Sequence, residues 1–265
     1  MDLELAGKTA VVTGGSRGIG KAVARQLAAE GVDVAVVARS TEILREAAAE
    51  LAEETGRRIV PIQADTGSDD SVKAMVEQAV RELERVDILV NCAAQPGGQS
   101  APPKLAEIND QAFYSDVNIK VMGYLRCARE VAPHMIREGW GRIISISGLA
   151  ARSTGSAIGS IRNVAVVAMT KNLADELGPH GINVTVVHPG LTRTEKTPAA
   201  VASLAQRLGV SEDEAEKRMV NNLAGRWIDA RDIAYVVTFL ASPKAAAING
   251  DVIAAGGGVK GVIYY

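Results

Sequence analysis

The first residues able to do chemistry lie near the N-terminus: Gly14-Gly15-Ser16-Arg17-Gly18-Ile19-Gly20, preceded by the apolar run Thr9-Ala10-Val11-Val12-Thr13. Glycines let a backbone turn sharply and lie close to a phosphate. A helix starting at Gly18 would aim its free N–H groups and positive dipole end at an anion. Strand, glycine turn and amphipathic helix in that order predict a dinucleotide pyrophosphate site built by Gly14, Ser16, Arg17, Gly18, Ile19 and Gly20. Farther along, Ala38-Arg39-Ser40 closes a second apolar run, at the place where a carboxylate would bind an unphosphorylated ribose. Arg39 and Ser40 suit a 2′-phosphate instead, because a guanidinium donates to phosphate bidentately, and Arg17 adds to the charge. NADP(H) is therefore favoured over NAD(H); the bland reading of Arg39 is a solvated strand-end residue. His188, at the end of another apolar run, carries the natural acid/base group for neutral pH.

Elements that must position these residues recur from end to end. Val/Ile-rich runs without clean alternation at 9–13, 32–39, 58–65, 86–93, 141–147, 182–188 and 251–255 predict strands buried on both faces and paired in parallel. Between them, 18–30, 41–55, 69–85, 108–137, 158–177 and 230–241 predict helices. Ile19, Val23 and Leu27 form one face of the first, and Ser40-Thr41-Glu42 and Ser68-Asp69-Asp70 supply caps with acidic first turns. The expected fold is a single α/β domain over residues 1–265. It is a Rossmann-type doubly wound parallel sheet of about seven strands with helices on both faces. Residues 191–224, with charge-rich helical pieces at 199–208 and 212–222, read as an insertion beyond a strand end, hence a substrate lid.

The Gly-x3-Gly-x-Gly spacing resembles that of the short-chain dehydrogenase/reductase family, and further matches run along nearly the whole chain. Asp65, with Thr66 beside it, falls where the family's aspartate contacts the adenine. Asn91-Cys92-Ala93-Ala94 resembles the family's Asn-Asn-Ala-Gly segment in part, keeping Asn91 and Ala93 at the cofactor. Asn118 falls at the family's active-site helix asparagine. Pro189-Gly190 followed by Thr194 resembles the nicotinamide-side turn, with His188 replacing the usual asparagine. The resemblance implies hydride transfer between a nicotinamide and a carbonyl or alcohol. The proton would move through a tyrosine whose pKa is lowered by a lysine four residues later, beside a serine and that asparagine.

The catalytic part of the pattern departs from the family. Met169-Thr170-Lys171 and Leu173-Ala174 match the active-site helix, and counting back puts Gly159 at the tyrosine position and Asn163 at the lysine position. Glycine has no proton to give, and asparagine has no charge with which to lower a pKa. None of the five tyrosines has a lysine four residues later. Gly148 stands at the serine place; Ser147 is one residue earlier and on the opposite face if the strand continues, yet a shortened segment before Gly159 can turn it into the role. The expected catalytic residues are thus Asn118, Ser147 and His188, with His188 the best substitute acid. Ser153, Ser156, Ser160, Arg162, Tyr114 and the terminal Tyr264-Tyr265 pair are weaker candidates, each with an ordinary packing or capping alternative.

Composition narrows the remaining choices. The 265-residue chain is 47% apolar and 23% charged with a net charge of −2, so no basic field exists to attract nucleic acid or an anionic membrane. No run approaches the ~18 apolar residues of a membrane span. The acidic start Met1-Asp2-Leu3-Glu4 does not resemble a secretory signal, and a cytoplasmic protein acting on a small molecule is expected. Cys92 and Cys127 read as buried free thiols, with no metal site. Apolar helices at 108–137 and 158–177, in light of the family, imply a homo-oligomer, a dimer or tetramer. Two functions compete: an NADP-dependent oxidoreductase with a degenerate tetrad, and a cofactor-binding pseudoenzyme or partner subunit. A lyase or isomerase has no specific support.

Overall fold

Val/Ile runs too apolar for a solvated face lie in the middle of the molecule. In β1 (Thr9–Thr13) all five residues are buried. The chain continues through α1 (Gly18–Ala29), β2 (Asp33–Ala38), α2 (Thr41–Thr55), β3 (Ile59–Gln63), α3 (Asp69–Leu83) and β4 (Ile88–Asn91). After α4 (Asp110–Val117) comes a π-helical turn, Asn118–Met122, and then α5 (Gly123–Glu138), β5 (Gly141–Ile146), α6 (Ala157–Leu177) and β6 (Ile182–Pro189). The last part holds β7 (Thr192–Arg193), α7 (Thr197–Leu208), α8 (Glu212–Met219), β8 (Ile228–Asp229), α9 (Ala230–Ala241) and β9 (Val252–Ala255). This computed structural model describes residues 1–94 and 103–260; Tyr264 and Tyr265 lie outside the described residues.

The seven long strands form one parallel sheet in the order β3-β2-β1-β4-β5-β6-β9, and β7 pairs with β8 apart from it. Successive residues of a strand face opposite sides, so β1 feeds two cores. Ala10 and Val12 pack with Val23 and Leu27 of α1, Leu44 of α2 and Val237 of α9. Val11 packs with Met75 of α3, Val131 of α5 and Ala174 of α6. Helices thus cover both faces, as a parallel sheet requires. α7, α8 and the segment before β8 share a small core of their own, Val201, Ala205, Ala215 and Trp227. Among the described residues no helix is long and apolar enough to cross a membrane. No group of metal-ligating residues is found among them. Cys127 is buried and Cys92 half-buried, both free.

Three expectations are corrected. The strand predicted over 58–65 ends at Gln63, so Asp65 lies in the following loop, where its Oδ1 accepts the Gly67 N–H at 2.9 Å. The second helical piece of the 191–224 segment stops at Met219 instead of 222. The helix predicted over 108–137 starts at Asp110 and is interrupted by the wide turn at Asn118–Met122. Beyond that turn, Gly123 meets the Thr66 segment so closely that a Cβ would stand 3.0 Å from the Thr66 carbonyl oxygen.

One order reversal positions the site. β1 lies between β2 and β4, and connections leaving its two sides open a crevice beyond the strands' carboxyl ends. The fully buried Thr13 crosses that crevice: its Oγ1 accepts the N–H groups of Cys92 at 3.1 Å and Ala93 at 3.2 Å. Replacement Thr13→Val keeps the shape and deprives both donors of this acceptor, so it should lower stability by about 1–3 kcal/mol. Urea unfolding at pH 7 measures this; a loss within error of zero would mean that the hydroxyl does not couple the two strand ends.

Candidate cofactor cleft and reaction site

The glycine loop is shaped by close backbone approach. Gly14 has a φ of +67°, and a Cβ there would stand 3.0 Å from the Ala93 nitrogen and the Cys92 carbonyl carbon. At Gly20 a Cβ would stand 2.2 Å from the Gly14 carbonyl oxygen, so the loop closes against α1 only with glycine at that position. Arg17 is the N-cap residue of α1 in an extended conformation, with no side-chain cap on the helix. A carboxylate from elsewhere takes that place: the Gly18 N–H donates to Glu195 at 3.0 Å and 3.2 Å from its two oxygens. The N-terminus of α1 therefore already holds a carboxylate, the kind of partner its free N–H groups and dipole favour. Ser16 and Ile19 are half-buried here, and Arg17 is exposed.

Glu195 arrives with the turn that follows β6. Gly190 is pressed against Gly256, where a Cβ would meet the Gly256 Cα at 2.8 Å. The Thr194 methyl lies 3.5 Å from where a Gly18 Cβ would be, and its N–H donates to Thr197 Oγ1 at 2.9 Å. Thr194 and Glu195 are thus brought to the start of α1, while Gly190 packs on Gly256. At the other end of the crevice Arg39 and Ser40 are exposed beyond β2, and Asp65 is exposed beside the buried Thr66. Asn91 ends β4 fully buried, and neither Oδ1 nor Nδ2 has a protein partner among the described residues. A buried amide so placed fits a polar ligand or water. The crevice fits a nicotinamide dinucleotide: a tight glycine turn, an anion-holding helix end, exposed Arg39 and an unpartnered amide.

The expected catalytic residues separate into two groups. Asn118 is turned away from the others: its Nδ2 donates to the Gly67 carbonyl at 3.1 Å, and its Oδ1 accepts from Arg126 at 2.9 Å. Ser147 and His188 both lie at the end of β5, with His188 bonded to the residue next to Ser147. Ser147 Oγ donates to the Asn163 carbonyl and Oδ1, each at 3.2 Å, and the next residue's amide, Gly148 N–H, donates to His188 Nδ1 at 3.3 Å. His188 is fully buried, and desolvation, helped by the positive charges of Arg152 and Lys120, pushes its pKa down to about 4. With Nδ1 accepting, the neutral ring carries its proton on Nε2, which has no protein partner among the described residues. His188 is a neutral N–H donor at pH 7, and the charged form that an acid would use is disfavoured.

Lys120 was missed by the sequence reading, and it sits in the same cluster. Its Nζ donates to the Ser147 carbonyl at 3.0 Å, and the residue is 4% exposed. Burial, then the Arg162 charge, push its pKa down to about 7, partly offset by Asp116. Arg162 itself pairs with Asp116 at 2.5 Å. The only signal in the sequence is a lysine between Ile119 and Val121 in an apolar stretch. Gly159 donates its N–H to the Ser156 hydroxyl, which caps α6, and Ser160 and Ser153 hydroxyls bond the Ser153 and Leu149 carbonyls. Tyr114 is exposed and stacks edge-on with Phe113 at 5.9 Å.

The sequence profile of the short chain dehydrogenase family matches residues 8–204. The chain belongs to this family. A short-chain reductase, NovJ of Streptomyces niveus, is 37% identical over 251 residues, covering 94% of this chain and 92% of that one. The 3-oxoacyl-[acyl-carrier-protein] reductase FabG of Staphylococcus aureus is 33% identical over 255 residues, covering 95% and 98%. Among solved structures, L-sorbose reductase from Gluconobacter frateurii, complexed with NADPH and L-sorbose, superposes with a TM-score of 0.92 at 29% identity, covering 99% of this chain and 100% of that one. The family assignment accords with the seven-stranded parallel sheet and the glycine loop.

Two outcomes follow from the site's charges. Replacement Glu195→Gln removes a carboxylate from the helix end that a pyrophosphate would use, so NADPH should bind about two- to fivefold tighter in a fluorescence titration. Unchanged affinity would mean that Glu195 does not compete for the site. Between pH 6.5 and 4 the unfolded chain takes up a proton on His188 that the folded chain refuses, so this residue makes stability fall as pH drops through that window. His188→Asn should flatten the fall by up to about 3 kcal/mol, read from urea unfolding at pH 7 and 4.5; an equally steep fall would contradict the buried neutral imidazole.

Proposed function

We propose that this family member is an NADP-dependent oxidoreductase acting on a carbonyl or alcohol, with its usual tyrosine and lysine replaced by Gly159 and Asn163. The observation that carries the reading is the anion-holding end of α1, closed over by the Pro189–Thr194 turn at the sheet's order reversal. A nicotinamide cofactor would supply the hydride there; the chain's part is to hold it and manage a proton. Gly14, Gly18, Gly20 and Ser16 would flank the pyrophosphate and Asp65 the adenine side, with Asn91, Ala93 and Thr194 nearer the nicotinamide. Arg39 and Ser40 favour a 2′-phosphate.

The segment 191–224 is read as a substrate lid. A cavity of about 130 Å³ lies beneath it, lined by Leu149, Gly190, Met219, Val220, Trp227 and Gly256. A small, largely apolar substrate suits that lining. Ile161 and Val164 on α6, with Tyr114 on α4, are exposed apolar side chains that support a homo-oligomer, a dimer or tetramer.

A second reading is favoured by Gly159 and Asn163 themselves: a cofactor-binding protein without turnover, or a partner subunit of an active homologue. The two are separated by titrating NADPH and NADH and then following absorbance at the nicotinamide band with L-sorbose and an acetoacetyl thioester, compounds suggested by the relatives' names. The oxidoreductase reading expects NADPH to bind at least about tenfold tighter than NADH, because one phosphate–arginine contact separates them, and expects slow turnover by the unaltered chain. Tight binding with turnover only after Gly159→Tyr combined with Asn163→Lys supports the pseudoenzyme reading. No binding of either nucleotide overturns both.

A further inference from the structure

Position 163 lacks an ammonium, and an ammonium from a different helix lies in the same hydrogen-bonded cluster. Lys120 Nζ bonds the Ser147 carbonyl, Ser147 Oγ bonds Asn163, and the Gly148 amide bonds His188. A Cβ on Gly148 would stand 3.1 Å from Asn163 Nδ2, so these residues converge where β5 ends. We propose that Lys120 is the proton donor of this site, delivering a proton from Nζ to the substrate oxygen during carbonyl reduction. The proposal rests on the oxidoreductase reading above and names the donor that reading lacks.

The surroundings prepare Lys120 for that work. From its own helical run Asp116 faces it, but that carboxylate is held by Arg162 of α6 at 2.5 Å, and no carboxylate pairs with Lys120 among the described residues. After β4 the Cys92 thiol faces it, pushed up to about 12 by burial and therefore neutral. From β6 it is faced by His188, neutral at pH 7. Desolvation and Arg162 disfavour the charged amine, which makes it a far better acid than a solvated lysine. One of its three protons goes to the Ser147 carbonyl, and no other hydrogen bond engages Nζ among the described residues. A nicotinamide held in the cleft would supply the electron pair as hydride to the carbonyl carbon. As the C=O π bond breaks, its electrons move to oxygen, which takes a proton from Nζ to become a hydroxyl. Lys120 is left as a neutral amine and is recharged from solvent.

The test uses the whole protein, NADPH and the two carbonyl probes named above, from pH 5.5 to 9, with K120M, K120R and K120M/N163K. An NADPH affinity of K120M within about threefold of the unaltered chain verifies that the cleft persists. The unaltered chain should lose activity on an alkaline limb with a midpoint near 7, matched by the titration of one lysine Nζ in ¹⁵N NMR that is missing from K120M. K120M should lower the rate by about 10²–10⁴-fold and abolish the limb. K120R, charged but a poor acid, should do the same, and K120M/N163K should restore part of the rate. Turnover by K120M at the unaltered rate with the same limb overturns the assignment and leaves the oxidoreductase reading standing. No turnover by the unaltered chain overturns that reading and the assignment with it.

Discussion

Backbone groups at the sheet's order reversal must find partners where two parallel strands part company, and Thr13 is where they do. Its buried hydroxyl accepts from Cys92 and Ala93 as the chain leaves β4. This link pins the glycine turn against β4, and Gly14 and Gly20 are shaped by the same closeness. Around that junction lie the start of α1, the buried Asn91 amide and the turn after β6. In a parallel sheet such a crevice follows from connectivity, before any side chain is chosen for chemistry.

Charge is distributed unevenly across the crevice. The open end of α1 accepts an anion and finds one in Glu195, at a distance of 177 residues along the chain. Toward β5 and β6 the balance reverses. Lys120, Arg162 and His188 lie close together, with Asp116 the carboxylate that partners Arg162. Burial makes such a group of bases compatible by suppressing charge: His188 is held neutral and Lys120 is poised near neutrality.

Membership in the short chain dehydrogenase family accords with the fold, and positions 159 and 163 add how this chain packs its own α6. The family's relatives include named reductases of closely similar length. Positions 159 and 163 are both engaged within the fold. Gly159 completes the cap on α6, and Asn163 is buried as a hydrogen-bond partner of Ser147. Their environments are satisfied locally, so these two side chains form part of a packed arrangement around the end of β5.

Local patterns in the amino-acid sequence were enough for the layered α/β fold, for β1 and α2 to the residue, and for the glycine turn. Each depends on near neighbours: apolar runs that must be buried on both faces, cap residues, and glycine where the backbone has to turn. Tertiary structure alone decided that Asn118 bonds Gly67 and Arg126, that Glu195 reaches Gly18, and that Lys120 enters the cluster of Ser147 and His188. A π-helical turn changes which side chains of a helix face inward, and a carboxylate 177 residues away is brought to a helix end only by the completed sheet. The charge state of a buried base depends on what else is buried beside it, which no spacing in the chain records.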